Sequence, residues 1–100
     1  MKKSTIQAIQ QVQKERMVIT LKKNHDYSTL IDNIKLGGLN GIAIRIFDKA
    51  CRLMSATVNV DTNNKHELCV LDETLEDTLK DLGNYSDYGI VLMRGEWEKP

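Results

Sequence analysis

Apolar residues recur at helical spacing over most of the chain, most clearly in the stretch that ends near Tyr88. Intervals of three or four positions place side chains on one helical face. One such face carries Leu75, Leu79, Leu82, Ser86, Ile90 and Met93. A second line on the same helix, called the acidic stripe below, carries Glu73, Asp77, Asp81, Asn84 and Tyr88. Like charges one turn apart repel each other, so this stripe requires positive groups opposite it.

The same periodicity predicts three earlier helices. The first covers residues 4–23, and a short second helix over residues 28–36 ends at Gly37-Gly38. The third, over residues 40–55, is apolar around most of its circumference, which is typical of a buried helix. Residues 56–70 lack this regularity and predict a short hairpin or a loop. The expected fold is therefore a small all-α bundle of about four helices, with a C-terminal tail over residues 95–100.

Length and charge narrow the classes of function. One hundred residues form a single domain with a thin margin of stability, so we expect a homo-oligomer, a dimer or higher. Lys plus Arg equal Asp plus Glu, 14 against 14, which argues against a nucleic-acid partner because proteins that bind nucleic acids usually carry a basic excess. No leader segment or membrane span is visible, so we expect a cytoplasmic protein with Cys51 and Cys69 reduced.

The third predicted helix carries one narrow charged line, called the basic stripe below, on an otherwise apolar surface. Its members are Arg45, Asp48, Lys49 and Arg52, at offsets of three, four and seven residues. Charges on a central helix must be paired or must face a wet cleft, because burying them alone is very costly. Two interpretations remain open at this point. The two stripes form either an interhelical seam of salt bridges or a cleft that binds a ligand.

The ligand-binding interpretation assigns a role to each charged or polar residue. Carboxylates one turn apart can hold Mg²⁺, and arginine and lysine on a facing helix can neutralise phosphates. The candidate Mg²⁺ ligands are Asp48, Glu73, Asp77 and Asp81. The candidate ligand-binding residues are Asp26, Tyr27, Arg45, Lys49, Arg52, Asn84 and Tyr88. The alternatives are a simple helix end at Asp26-Tyr27 and an aromatic residue at the edge of the core at Tyr88.

Three motifs occur in the order in which they are found in a phage-borne family, the nucleotide-modification-associated domain proteins. They are KNHDY at 23–27, RIFDKACRL at 45–53 and DETLEDTLKDLGNY at 72–85. The chain resembles this family, which itself resembles the all-α NTP pyrophosphohydrolases of the MazG and dimeric dUTPase types. The resemblance implies a helical bundle that binds Mg²⁺ and a nucleotide. The motif positions are Asp26, Arg45, Asp48, Lys49, Arg52, Asp77, Asp81 and Asn84.

Two departures qualify what the resemblance implies. Ser28 stands where the family usually has glycine. The four-carboxylate signature of MazG-type enzymes is incomplete: one part of it is present as Glu73-x-x-Glu76, but this part lies on the last predicted helix. We therefore expect a phage-type nucleotide-binding protein of the host-cell cytoplasm that resembles Mg²⁺-dependent (d)NTP pyrophosphohydrolases. The first alternative is a non-catalytic anti-defence protein that sequesters a cyclic or ADP-ribose-derived nucleotide. The second is a helical interaction module whose stripes are structural.

Overall fold

The computed structural model describes the backbone of residues 1–26, 30–58 and 65–98, and the side chains of residues 1–23, 33–58 and 75–98. Three α-helices account for these ranges: α1 (Lys3–Asp26), α2 (Leu30–Val58) and α3 (Lys65–Met93). The prediction of a small all-α bundle is confirmed, with three helices in place of four.

The second and third predicted helices are a single helix, α2, with a kink at Gly38. Gly38 has φ 62° and ψ −162°, a combination that is essentially restricted to glycine. The sequence therefore located the interruption correctly but mistook a kink for a helix end. After the kink, Leu39 and Ile42 lie against Gly89 of α3, where a Cβ atom would be 3.4 Å from Ile42 and 3.5 Å from Leu39.

The prediction of a hairpin within residues 56–70 is wrong for the described part of that segment, which is helical. Helix α2 continues to Val58, and α3 already begins at Lys65. Thr57 remains helical although β-branched residues favour strands. Its hydroxyl donates hydrogen bonds to the carbonyl oxygens of Leu53 and Met54, at 3.0 and 3.1 Å. Residues 59–64, between the two helices, lie outside the described residues.

The core lies between α2 and α3 and is small. Ile34, Ile42 and Tyr88 are buried in it, and four half-buried residues pack around them: Ile46, Tyr85, Leu92 and Trp97. Gly95 ends α3 as predicted, with φ 67° and with the Glu96 N–H donating to the carbonyl of Val91 at 3.1 Å. This cap returns the tail to the bundle, where Trp97 packs edge-on against Tyr88 with ring centroids 5.5 Å apart.

The apolar line of α3 is covered only in part. Leu75 and Leu82 are half-buried, but Leu79 and Met93 are 53% and 72% exposed, whereas Thr78, Asn84 and Tyr88 are buried. The helix over residues 40–55, predicted to be buried from its largely apolar circumference, is covered on one face only in a single chain. Ile42 and Ile46 face the core, but the opposite side of α2 is exposed.

The first half of α1 is exposed over residues 1–14, and the side chains that bond to α3 come from its second half. None of the described helices combines the length and apolar character that a bilayer span requires.

Candidate functional site

Asp81 of the acidic stripe joins all three helices. Lys49 of α2 lies 3.1 Å from Oδ2 of Asp81, and Lys23 of α1 donates to Oδ1 at 3.4 Å. The Asp81 side chain is only 19% exposed, so two ammonium groups neutralise a carboxylate that is largely withdrawn from water. At this position the acidic stripe is part of a salt-bridge seam.

The seam continues along α1 through Arg16. Its guanidinium lies 2.8 Å from Oδ2 of Asp87, and its backbone carbonyl accepts a hydrogen bond of 3.3 Å from Nδ2 of Asn84. Gly83 makes this approach possible, because a Cβ atom there would lie 2.7 Å from Nη1 of Arg16. Asn84, a candidate ligand-binding residue, is thus buried with its amide directed at α1.

Lys80 forms the next link between α1 and α3. Its ammonium lies 3.4 Å from Oε1 of Glu15 and 3.6 Å from Oε2 of Glu76. Burial lowers the pKa of Lys80, but the hydrogen bond to Glu15 and the charges of Glu76 and Glu15 outweigh it, so the pKa lies above its usual 10.5. Lys80 therefore remains a cation throughout the physiological range.

Tyr88, another candidate ligand-binding residue, belongs to the core. It is 8% exposed, and its hydroxyl shares a hydrogen bond of 2.7 Å with the hydroxyl of Thr20 on α1. Its ring also contacts Tyr85 edge-on, with centroids 6.0 Å apart. These contacts agree with the alternative interpretation of Tyr88 as an aromatic residue at the edge of the core.

The basic stripe does not act as one unit. Lys49 faces Asp81, whereas Arg52 pairs along the surface of α2 with Asp48 at 3.5 Å, with both side chains more than half exposed. Arg45 takes a third environment, with its guanidinium 5.7 Å from the centre of the Tyr85 ring. Of the predicted pairing between the stripes, only the Lys49–Asp81 contact occurs among the described side chains.

Arg45 also lines a small open pocket at the kink of α2. The pocket has a volume of about 30 Å³ and is lined by Asn33, Ile34, Gly37, Gly38, Gly41, Ile42 and Arg45. No atom lies within 4 Å of the position that a Cβ would take at any of these three glycines, so their backbone is accessible. Within the described side chains, no carboxylate lies at ion-pair distance from Arg45.

The described residues contain no group of three or more His, Cys, Asp or Glu side chains able to hold a metal ion. Asp81 bonds to two lysines, Asp48 pairs with Arg52, and Asp77 is exposed. The side chains of the remaining candidates, Asp26, Tyr27 and Glu73, lie outside the described residues. Mg²⁺ binding therefore stays a prediction, and we derive no step through this ion.

Sequence reasoning missed the contribution of α1. Arg16, Thr20 and Lys23 supply partners to α3, although only residues of the third predicted helix were expected to face the acidic stripe. One signal was present, because Arg16 interrupts the apolar line of Ile6, Ile9, Val12 and Ile19 on the first predicted helix. A cation in such a line indicates a buried carboxylate or carbonyl partner.

Comparisons with known proteins leave the chain without an assigned family. No protein-family model, no curated protein and no solved structure matches it.

Proposed function

We propose that this protein binds a nucleotide or a nucleotide-derived phosphate compound, with Arg45 as the anchor. The observation that supports the proposal is the position of the Arg45 guanidinium, beside an open pocket and without a carboxylate partner among the described side chains. A guanidinium presents a planar fork of donors that matches two phosphate oxygens, and packing against Tyr85 restricts its orientation.

The size of the pocket defines what part of a ligand it can take. A single water needs roughly 10–15 Å³ of such space, so a pocket of about 30 Å³ has room for a phosphate-sized group and not for a whole nucleotide. Gly37 and Gly41 leave backbone accessible beside that group, and Asn33 adds a side-chain amide. The sugar and base would then lie outside the pocket.

Binding is better supported than cleavage. Asn84, Tyr88 and Lys49 are engaged inside the bundle, so the proposal does not use them. The Mg²⁺-dependent pyrophosphohydrolase remains the finer proposal, and it rests on the resemblance to nucleotide-modification-associated proteins. The sequestering, anti-defence role requires only binding and is compatible with the same pocket.

The test is equilibrium binding of the purified protein to pooled NTPs, dNTPs, cyclic nucleotides and ADP-ribose-derived nucleotides, with and without Mg²⁺. Mass spectrometry of the filtrate, before and after heat release, distinguishes the outcomes. A ligand that leaves the filtrate and returns intact supports sequestration, and Mg²⁺-dependent monophosphates support hydrolysis. Nucleotides that all stay in the filtrate unchanged would refute the proposal.

A pair of variants tests the anchor. Arg45→Met should lower affinity about 10- to 100-fold, since a charge-assisted hydrogen bond contributes roughly 1.5–3 kcal/mol. Arg94→Met removes the same charge from an exposed position after α3 and is the matched control, with unchanged affinity expected. Equal losses in both variants would indicate non-specific charge attraction and exclude Arg45 as an anchor.

A second candidate function is assembly as a helical interaction module. The supporting observation is the amount of apolar surface that a single chain leaves exposed on all three helices, including Val18, Phe47 and Met93 at 59%, 71% and 72%. A monomer rarely leaves apolar surface of this extent uncovered. Light scattering would test self-association directly, and a strictly monomeric mass at high concentration would count against it.

A further inference from the structure

One face of α2 carries an uninterrupted uncharged line on the side opposite the core. Its residues, called the outer seam below, are Ile44, Phe47, Cys51, Met54 and Val58. Their intervals alternate between three and four residues, which is the heptad spacing of a coiled-coil contact line. The exposed fractions of its four large side chains are 61% for Ile44, 71% for Phe47, 66% for Met54 and 76% for Val58.

Because the face of α2 opposite the outer seam is packed against the core and α3, the exposure of the outer seam is not caused by poor docking of the helix. Ile42 is 3% exposed in the core, Ile46 packs against that core, and Lys49 pairs with Asp81 of α3. These residues occupy the face opposite the outer seam. The helix therefore has two apolar faces, and the fold of one chain covers only one of them.

The surface area of the chain is large enough for an interface. The accessible surface is 7769 Å², whereas a folded monomer of 11.4 kDa exposes about 5,800 Å². The radius of gyration is 15.7 Å, against about 13 Å for a compact chain of this length. The excess of roughly 2,000 Å² is distributed over the whole chain, the exposed first half of α1 included, and it is larger than the ~800 Å² that each partner buries in a standard stable interface.

We propose that the outer seams of two copies of this chain pack against each other in a two-fold symmetric dimer. The outer seam carries no charge that would select a charged partner, and coiled-coil spacing is complemented by a second line of the same spacing. Its flank is self-complementary, because Asp48 and Arg52 lie on one side of it, close to its middle. An antiparallel pairing therefore directs each Asp48 toward the partner's Arg52.

This inference develops the assembly function and does not depend on nucleotide binding. Cys51 is the middle residue of the outer seam. Pairing about the middle of the outer seam therefore brings Cys51 close to the equivalent residue of the other copy, whether the helices run parallel or antiparallel. That proximity distinguishes pairing through the outer seam from association through the outer face of α3.

The first experiment compares Phe47→Glu with wild type by sedimentation equilibrium, with circular dichroism to verify helix content. A dimer is expected for wild type, and Phe47→Glu should raise the dissociation constant about 100-fold or more, because a charge then replaces an aromatic contact at the interface. Leu79→Glu is the matched control. Leu79 is 53% exposed on the outer face of α3, and this variant should remain dimeric.

The second experiment cross-links Cys51 with a short bismaleimide in a Cys69→Ser variant. A covalent dimer is expected, and adding Phe47→Glu should abolish it at the same protein concentration. The control is Leu36→Cys, at a position that is 89% exposed, in a variant that also carries Cys51→Ser and Cys69→Ser. This control should give no covalent dimer.

The proposal is overturned by a monomeric wild type, which would also remove the assembly function. If Leu79→Glu dissociates the dimer and Phe47→Glu does not, the pairing of outer seams is wrong, although the assembly function still stands. If wild type is a dimer but Cys51 gives no more covalent dimer than the Leu36→Cys control, the pairing of outer seams is also refuted. None of these results bears on the affinity of the Arg45 pocket for nucleotides.

Discussion

Replacing Asp81 by asparagine tests whether the acidic stripe is structural. The substitution keeps the shape of the side chain and removes the charge that lies 3.1 Å from Lys49 and 3.4 Å from Lys23. Both ammonium groups would then remain at the junction of three helices without their counter-charge. We expect the variant to fold but to be clearly less stable than wild type.

The magnitude follows from the burial of the three side chains. The exposed fractions are 19% for Asp81, 22% for Lys49 and 38% for Lys23. Their burial is therefore intermediate between that of surface ion pairs, which contribute roughly 0.2–1 kcal/mol each, and that of buried pairs, whose disruption costs about 3–5 kcal/mol. We therefore expect a loss of about 2 kcal/mol in the free energy of unfolding. For a domain of this size, that corresponds to a decrease of roughly 8–16 °C in the melting temperature.

The assay is thermal and urea unfolding at one fixed protein concentration, because self-association would make the melting temperature depend on concentration. Asp77→Asn is the matched control, since Asp77 is exposed one turn earlier on the same stripe and should change stability by less than about 0.5 kcal/mol. The Asp81→Asn effect should also shrink in 1 M salt, where charges are screened within about 3 Å.

An Asp81→Asn variant as stable as wild type, or more stable, would refute the structural role of Asp81. That result is the one expected if Asp81 were a metal ligand held among other carboxylates, because the substitution would then relieve like-charge repulsion. In that case Mg²⁺ should raise the melting temperature of wild type and leave the variant unaffected.

Three further predictions concern single positions. Gly38→Ala should lose about 1–3 kcal/mol of stability, because φ 62° with ψ −162° strains any other residue, whereas Gly41→Ala has open space at its Cβ and should gain up to about 1 kcal/mol. Gly83→Ala should be destabilising in wild type, where its Cβ would lie 2.7 Å from Arg16, and stabilising by about 1 kcal/mol in an Arg16→Ala background. Urea unfolding measures all of these, and equal effects of Gly83→Ala in both backgrounds would disprove the steric explanation. The stability that Lys80 contributes should persist up to pH 10.5 and be lost above it, since folding raises its pKa, and a Lys80→Met variant with the same alkaline profile as wild type would contradict this.

The helical class of the chain and several of its boundaries follow from the sequence. Periodicity identifies the helices because three- and four-residue spacing is a property of the backbone itself. Gly38 and Gly95 both adopt positive φ where an interruption and an end were predicted, since glycine alone tolerates those conformations easily. Local rules were wrong at Thr57 and Val58, where β-branched residues indicated a strand but α2 continues to Val58.

Tertiary structure decided which face of each helix is covered. Spacing establishes that Asp81, Asn84 and Tyr88 share a face and that Leu79 lies opposite, but the rotation of a helix about its axis depends on partners distant in sequence. Here those partners are cations and hydroxyls of α1 and α2, so the polar face of α3 turns inward. An apolar face in a sequence indicates only that covering the face is favourable, because water is displaced equally well by the same chain or by another one.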